Sequence, residues 1–136
     1  MGWALFNSVE FLLVLGRREE AEKANREAET ILSNLSDPMG MQQVALNRGI
    51  LGHYRRDFAE AEAGYQDSLR RAGALGYPLL IVELHARLAE MYVDWGKPLE
   101  AHKEVEQVDA LGREKLIPAA KTIFDRVLKS LNLPLA

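Results

Sequence analysis

The chain has 136 residues, which is enough for one domain and short for two. Its formal net charge of -3 and its isoelectric point of about 5.6 argue against a general nucleic-acid-binding surface. The sequence contains no cysteine, which excludes disulfides, thiolate metal ligands and a cysteine nucleophile, and which is typical of a reducing compartment. We therefore expect a cytoplasmic protein that makes no direct contact with nucleic acid.

The first sixteen residues are apolar, but they do not fit a signal sequence or a membrane span. They lack a basic start and a small-residue cleavage site, and Glu10 interrupts them. They are also shorter than the roughly 20 apolar residues that cross a bilayer. We expect a helix that is buried or covered by a partner, and no membrane association.

Two apolar faces are predicted on this first helix. Leu5, Val9 and Leu12 have the spacing of a core-facing stripe, and a second set of large apolar residues lies away from that stripe. The second set is too apolar for a solvated end, so either a further repeat precedes the helix or another chain covers it. If a second copy covers it, the protein is a homodimer. The contact face would consist of Trp3, Phe6, Phe11 and Val14.

The chain repeats with a period of 40 residues. The sequence Glu-Ala recurs with its alanine at Ala21, Ala61 and Ala101. Prolines keep the same spacing, at Pro38, Pro78 and Pro118. Two residue classes that share one period predict stacked helical units rather than a globule with a single core.

Each unit is predicted to contain two helices joined by a tight turn. In the third unit an apolar stripe ends at Gly96, a typical helix stop, and Pro98 begins the next helix, where its missing N–H costs nothing. The second unit turns at Arg56 and Asp57. We predict one domain over residues 1–136, with repeats over about 1–37, 38–77 and 78–117 and a capping helix over about 118–131.

Small residues are predicted where the paired helices approach each other closely. Gly49, Gly52 and Ala89 would allow near contact between backbones. The three repeated alanines leave room at the helix crossing for a large side chain of the first helix.

The pattern resembles the tetratricopeptide repeat (TPR), a helix-turn-helix unit. The match rests on Leu12, Gly16, Ala21 and Ala28, on Gly49, Phe58, Ala61, Tyr65, Ser68 and Pro78, and on Leu88, Ala89, Tyr92, Gly96, Ala101, Val105 and Val108. Gly52 and Asn25 replace aromatic residues of the pattern, and Arg56 replaces a glycine. The usual period is about 34 residues, so the resemblance is to the longer 40-residue variety found in large bacterial transcription activators and signalling scaffolds.

The resemblance implies an all-α fold, a right-handed α-solenoid of three TPR-like repeats plus a C-terminal capping helix. It implies a non-catalytic module that binds a peptide or a partner helix in its concave groove, as part of a larger regulatory protein. The groove positions are Phe6, Asn7, Glu10, Gln43, Asn47, Ile50, Tyr54, Glu83, Arg87, Glu90 and Asp94. Asn47 and Arg87 are expected to hold the partner's backbone or an acidic group, and Ile50 and Tyr54 to supply apolar contact.

Asn47 and Arg87 also match two positions of the clamp with which chaperone-binding relatives hold a terminal carboxylate. Phe6, Glu10 and Glu83 stand where that clamp has lysine, asparagine and lysine, so we do not expect the clamp here. A competing interpretation is that Asn47 and Arg87 only hydrate a helix face or pair with nearby acids.

No catalytic constellation is recognisable, so neither enzyme activity nor a cofactor is expected. His53, His85 and His102 do not have metal-ligand spacing, and we expect them to be ordinary polar or packing residues. The sequence has no phosphate-binding loop, no dinucleotide glycine motif and no G-x-S-x-G. An alternative function, by analogy with the long-repeat activators, is the ligand-sensing arm of a bacterial transcription regulator.

Overall fold

The computed structural model describes residues 9–135, and this part of the chain is helical, without a strand. Its α-helices are α1 (Val9–Val14), α2 (Arg18–Asn34), α3 (Pro38–Tyr54), α4 (Phe58–Leu75), α5 (Pro78–Asp94), α6 (Pro98–Leu111) and α7 (Pro118–Ser130). A short 3₁₀ helix covers Arg113–Lys115. The prediction of an all-α fold is confirmed. Trp3, Phe6 and Asn7 lie outside the described residues.

The helix starts keep the spacing of 40 residues seen in the sequence. Helices α2, α4 and α6 begin at residues 18, 58 and 98, and α3 and α5 begin at 38 and 78. Proline occupies the first position of α3, α5, α6 and α7, where its fixed φ suits the helix. Helix α7 corresponds to the capping helix predicted over about 118–131.

The turns between helices also recur at this spacing. Gly16, Arg56 and Gly96 follow the first helix of each pair and adopt left-handed φ angles of 74°, 61° and 77°. In each turn the next residue donates its N–H to a carbonyl five positions back, for example Asp57 to Gly52 at 2.9 Å. The turn predicted at Arg56 and Asp57 is confirmed, although a non-glycine residue is strained there.

The chain divides into two compact units, unit 1 (Met1–Leu75) and unit 2 (Gly76–Ala136). In the described part of unit 1, one cluster joins α1, α2 and α3 through Val9, Leu13, Ala21 and Leu51. A second cluster joins α2 to α3 through Ala28, Leu32 and Val44.

Helices α3 and α4 cross with their backbones close together, as predicted from Gly49 and Gly52. A Cβ atom on Gly52 would lie 2.7 Å from the backbone N of Ala61. One on Gly64 would lie 2.8 Å from Cα of Gly49. The helices approach this closely because no side chain separates them at these positions.

Unit 2 packs α5, α6 and α7 around one apolar core. Its buried residues are Val82, Ala86, Ala89, Val105, Val108, Leu116, Ala120, Phe124, Val127 and Leu128. At the end of α5, Trp95 stacks on Tyr92 with 6.2 Å between ring centroids, and the Lys97 Nζ lies 3.6 Å from the Trp95 centroid.

The three repeated alanines are all fully buried, at 0% exposure. Ala21 and Ala61 belong to unit 1 and Ala101 to unit 2. Their burial agrees with the prediction that each lies at a helix crossing. At Ala61 the nearest residue of the first helix is Gly52, not the large side chain that was predicted there.

Candidate functional site

Four predicted groove residues lie on α3 of unit 1, and their exposure differs. Asn47 is only 1% exposed, and its Oδ1 accepts a hydrogen bond of 3.4 Å from Gln43 Nε2. Gln43 and Ile50 are half-buried. Tyr54, at the end of the helix, is 51% exposed. A partner can therefore reach Tyr54 directly, whereas contact with Asn47 requires displacement of what covers it.

The predicted groove residues of unit 2 lie on α5 and are largely engaged in ion pairs. Arg87 Nε donates to Glu83 Oε2 at 2.9 Å, and each of these side chains is only 14% exposed. Glu90 binds Arg126 of α7 at 2.8 Å, and Asp94 is exposed. Arg87 thus carries a positive charge that Glu83 already compensates.

Unit 1 exposes several large apolar side chains near its first turn. Val9 and Leu13 face the core, whereas Phe11 is 64%, Val14 84% and Leu15 52% exposed. The exposed Tyr54 lies close by, because it lines an open depression together with residues 16–20, which form the end of the α1–α2 turn and the start of α2. We call Phe11, Val14, Leu15 and Tyr54 the apolar end of unit 1. Glu10, another predicted groove residue, is exposed on α1.

A second surface feature of unit 1 is a polar cleft where α2, α3 and α4 meet, with a volume of about 210 Å³. It is lined by Glu22, Asn25, Arg26 and Glu29 of α2, Arg48, Leu51 and Arg55 of α3, and Glu60 of α4.

Two ion pairs close part of the rim of this polar cleft. Arg48 binds both carboxylate oxygens of Glu60, one through Nε and the other through Nη2 at 3.1 Å. Arg55 Nη1 lies 3.2 Å from Glu22 Oε1. The hydrogen bonds from Arg48 hold the pKa of Glu60 below its ordinary value, and Glu60 in turn raises the pKa of Arg48. Both groups remain charged at neutral pH.

Asn25 lies in the polar cleft and carries an unsatisfied acceptor. The residue is 6% exposed, and its Nδ2 donates to the Val44 carbonyl at 3.4 Å. Its Oδ1 is buried and accepts no hydrogen bond within the described chain. Positions 65 and 105, which are equivalent in the 40-residue repeat, hold the buried residues Tyr65 and Val105.

The candidate-site prediction from the sequence did not include Asn25. The sequence does indicate something unusual there, because Asn25 stands where the repeat pattern has an aromatic residue. A small polar residue in place of a large ring leaves space and an unsatisfied group together.

Two further polar pairs, one buried and one partly buried, link helices within the units. Gln42 Nε2 donates to Ser68 Oγ at 2.7 Å between α3 and α4. His85 Nδ1 lies 2.6 Å from Glu104 Oε2 between α5 and α6, with side chains 13% and 15% exposed. His85 therefore links two helices, in line with the polar or packing role expected for it.

Comparison with protein-family models, curated proteins and solved structures finds no match. Within residues 9–135, no group of three His, Asp or Glu side chains is arranged to hold a metal ion. In the same range, no helix combines the length and apolar character needed to cross a membrane. The two surface features of unit 1 are the strongest candidates for function.

Proposed function

We propose that the chain is a non-catalytic protein-interaction module of the TPR kind. Its repeats are the hairpins α1–α2, α3–α4 and α5–α6, with α7 as the cap. Recurring helix starts, left-handed turns and buried alanines support this proposal. The right-handed solenoid, the concave groove and a cytoplasmic location belong to the same proposal.

The apolar end of unit 1 is the observation that carries a binding function. Phe11, Val14 and Leu15 follow one another closely on or beside one short helix, and Tyr54 adds an aromatic ring nearby. A cluster of exposed large apolar side chains marks an interaction surface, whereas single exposed residues such as Leu99 are normal on a soluble protein.

The surroundings of this surface suit an amphipathic helix or an extended peptide. Tyr54 offers an apolar ring with a hydroxyl, a combination that is frequent at interfaces. The α1–α2 turn and the start of α2 beside it carry both signs of charge, with Arg17 bound to Glu20 at 2.8 Å. The proposed partner segment has an apolar stripe that covers Phe11 and Val14 and polar groups that face this turn.

The first test compares two charge-introducing variants with the wild type. In affinity capture followed by titration of the captured partner, Phe11→Glu combined with Val14→Glu should abolish binding, because two carboxylates cannot be buried unpaired in an apolar contact. Leu99→Glu is the matched control, since Leu99 is 74% exposed but lies in unit 2. A partner that binds both variants equally well would contradict the assignment of the surface.

The predicted groove is tested separately with Asn47→Ala combined with Arg87→Ala. Loss of partner binding, with an unchanged circular dichroism spectrum, would support the groove positions. Unchanged affinity would remove Asn47 and Arg87 from the binding site and leave the apolar end of unit 1 as the proposed contact.

The second candidate function is self-association through the face of Trp3, Phe6, Phe11 and Val14. The exposure of Phe11 and Val14 favours it, because a second copy would bury the same side chains. Sedimentation at micromolar concentration should then show a dimer, and Phe11→Glu combined with Val14→Glu should yield a monomer. A wild-type chain that is monomeric at this concentration would exclude the dimer and leave a different protein as the partner.

A further inference from the structure

An exposed apolar surface lies at one end of unit 2, where α5 and α7 begin. Leu79 is 53% exposed and Ile117 is 43% exposed. Their neighbours in sequence are also apolar and exposed. We call this surface the apolar edge of unit 2, and it consists of Pro78, Leu79, Ile117, Pro118 and Ala119.

The two helix starts lie together because α6 leads the chain back from the end of α5. Val82, near the start of α5, belongs to the same buried cluster as Leu116 and Ala120, which lie on either side of the start of α7. The exposed residues of both starts therefore form one surface. Single exposed apolar residues are normal on a protein, whereas a group of them marks a contact surface.

The charges beside the apolar edge of unit 2 are positive. Lys115 precedes Ile117 by two positions, and Lys121 follows it by four, with the Lys121 N–H bound to the Ile117 carbonyl at 2.8 Å. Both lysines are exposed, and neither forms an ion pair within the described residues. Residues 76–82 and 115–124 contain no acid, although the chain has 20 Asp and Glu residues and a formal charge of -3.

The acids that border these two segments do not neutralise the lysines. Glu83 accepts a hydrogen bond of 2.9 Å from Arg87. The Glu114 carboxylate lies against Gly112. Asp125 is half-buried and forms no ion pair with Lys121 within the described residues. The apolar edge of unit 2 thus has two ammonium groups at its border that are open to a partner.

We propose that the apolar edge of unit 2 docks a protein segment in which large apolar side chains are flanked by Asp or Glu. The apolar side chains cover Leu79 and Ile117, and the carboxylates accept from the ammonium groups of Lys115 and Lys121. This inference is independent of the function proposed above, because it uses residues of unit 2 alone.

The charge pattern argues against two other occupants. A second copy of the same surface would bring like charges together. An anionic membrane combines apolar and acidic groups, but electrostatic attachment to it uses clusters of about four to eight basic residues, and two lysines border this surface. An acidic and apolar protein segment needs only one carboxylate for each lysine.

Peptide selection on the complete chain tests the partner chemistry. A displayed library of short random peptides is selected on the wild type and depleted on Leu79→Lys combined with Ile117→Lys, a variant whose exposed substitutions should leave the circular dichroism spectrum unchanged. We expect peptides to remain that carry Asp or Glu beside large apolar residues. If no peptide remains, or if the remaining peptides lack acids, the proposal is overturned.

Titration of the selected peptides locates the contact. Lys115→Glu combined with Lys121→Glu should weaken their binding at least about tenfold, because carboxylates then face carboxylates. Unchanged affinity would overturn the proposal, and so would binding of the wild type to phosphatidylserine vesicles in competition with the peptides.

Two matched controls lie elsewhere in unit 2. Leu99→Lys places the same charge on a residue that is 74% exposed at the start of α6, at the other end of α5. Lys103→Glu reverses a charge on the exposed side of α6. Both should bind the selected peptides as the wild type does. If either control weakened binding as much as the edge variants, the contact would not be at the apolar edge of unit 2.

Discussion

Gly64 and Gly73 lie on the same helix, α4, in opposite environments. A Cβ atom on Gly64 would lie 2.8 Å from Gly49 Cα and 2.9 Å from the Ala45 carbonyl oxygen. A Cβ atom on Gly73 would meet nothing within 4 Å. Helix propensity favours alanine at both positions, so the difference between them isolates the effect of close packing.

We predict opposite outcomes for the two glycine-to-alanine substitutions. Gly64→Ala should lower the free energy of unfolding by about 2 kcal/mol or more, because backbone atoms of α3 must move. Gly73→Ala should raise it by about 0.5–1 kcal/mol, because alanine loses less conformational freedom in a helix. Urea unfolding followed by circular dichroism measures both. If Gly64→Ala lowered the free energy of unfolding by much less than this, α3 and α4 would have to separate easily.

At the scale of helix pairs, one crossing position is filled in two different ways. In unit 1, a Cβ on Gly64 would touch the Ala45 carbonyl, so α3 and α4 meet there almost without side chains. Forty residues later, the equivalent positions are His85 and Glu104, whose side chains bind each other between α5 and α6 at 2.6 Å. The same register thus holds a close backbone contact in one unit and a polar bridge in the other.

We predict that His85 and Glu104 stabilise unit 2 as a pair. His85→Ala or Glu104→Ala alone should destabilise the protein, because each leaves a largely buried polar partner unsatisfied. A double-mutant cycle measured by urea unfolding should give a coupling energy of about 1–3 kcal/mol. Additive effects of the two substitutions would show that the contact contributes nothing of its own.

The ion pair between α3 and α4 predicts a specific loss of stability in acid. Arg48 holds the pKa of Glu60 below its ordinary value. The ion pair therefore contributes fully to the free energy of unfolding above the ordinary glutamate pKa of about 4.3. This contribution is lost as the pH falls through the lower pKa that Glu60 has in the folded state. The stability difference between wild type and Glu60→Gln should therefore be constant at neutral pH and shrink in acid.

Urea unfolding at a series of pH values measures this difference. Glu100→Gln is the control, because Glu100 is exposed and forms no ion pair within the described residues. Its effect should be small at every pH. A difference for Glu60→Gln that stays constant in acid would show that the bond with Arg48 does not stabilise the folded state.

For the whole molecule, the sequence predicted the helices and their spacing because these depend on local signals. Proline at a helix start acts within one turn, and so does glycine in a left-handed turn such as Gly96. Burial of the repeated alanines was predictable because they recur in the same register.

The side chains that meet where two helices cross could not be predicted in this way. The pairing of His85 with Glu104 and the unsatisfied oxygen of Asn25 depend on which side chain a neighbouring helix brings to the crossing. A period of 40 residues shows which positions are equivalent, but it does not show whether those positions are filled by a ring, a hydrogen bond or a cleft.

The ion pairs of the described chain predict a modest response of stability to salt. Many join residues three or four apart in the sequence, such as Arg17 and Glu20, whose side chains are 53% and 54% exposed. Exposed pairs contribute about 1 kcal/mol or less each and are screened by salt. We expect the urea midpoint to fall only slightly between about 0.05 M and about 0.5 M NaCl. A large loss would mean that electrostatic interactions dominate the stability of the fold.

The stacking of Trp95 on Tyr92 beneath the Lys97 ammonium gives unit 2 an optical reporter of its own. The sequence has two tryptophans, so Trp3→Phe leaves Trp95 as the single indole fluorophore. The fluorescence emission of Trp95 should change when unfolding separates its indole from the Tyr92 ring and the Lys97 ammonium. Far-ultraviolet dichroism averages over all helices, so comparison of the two signals reveals whether unit 2 melts together with the rest of the chain.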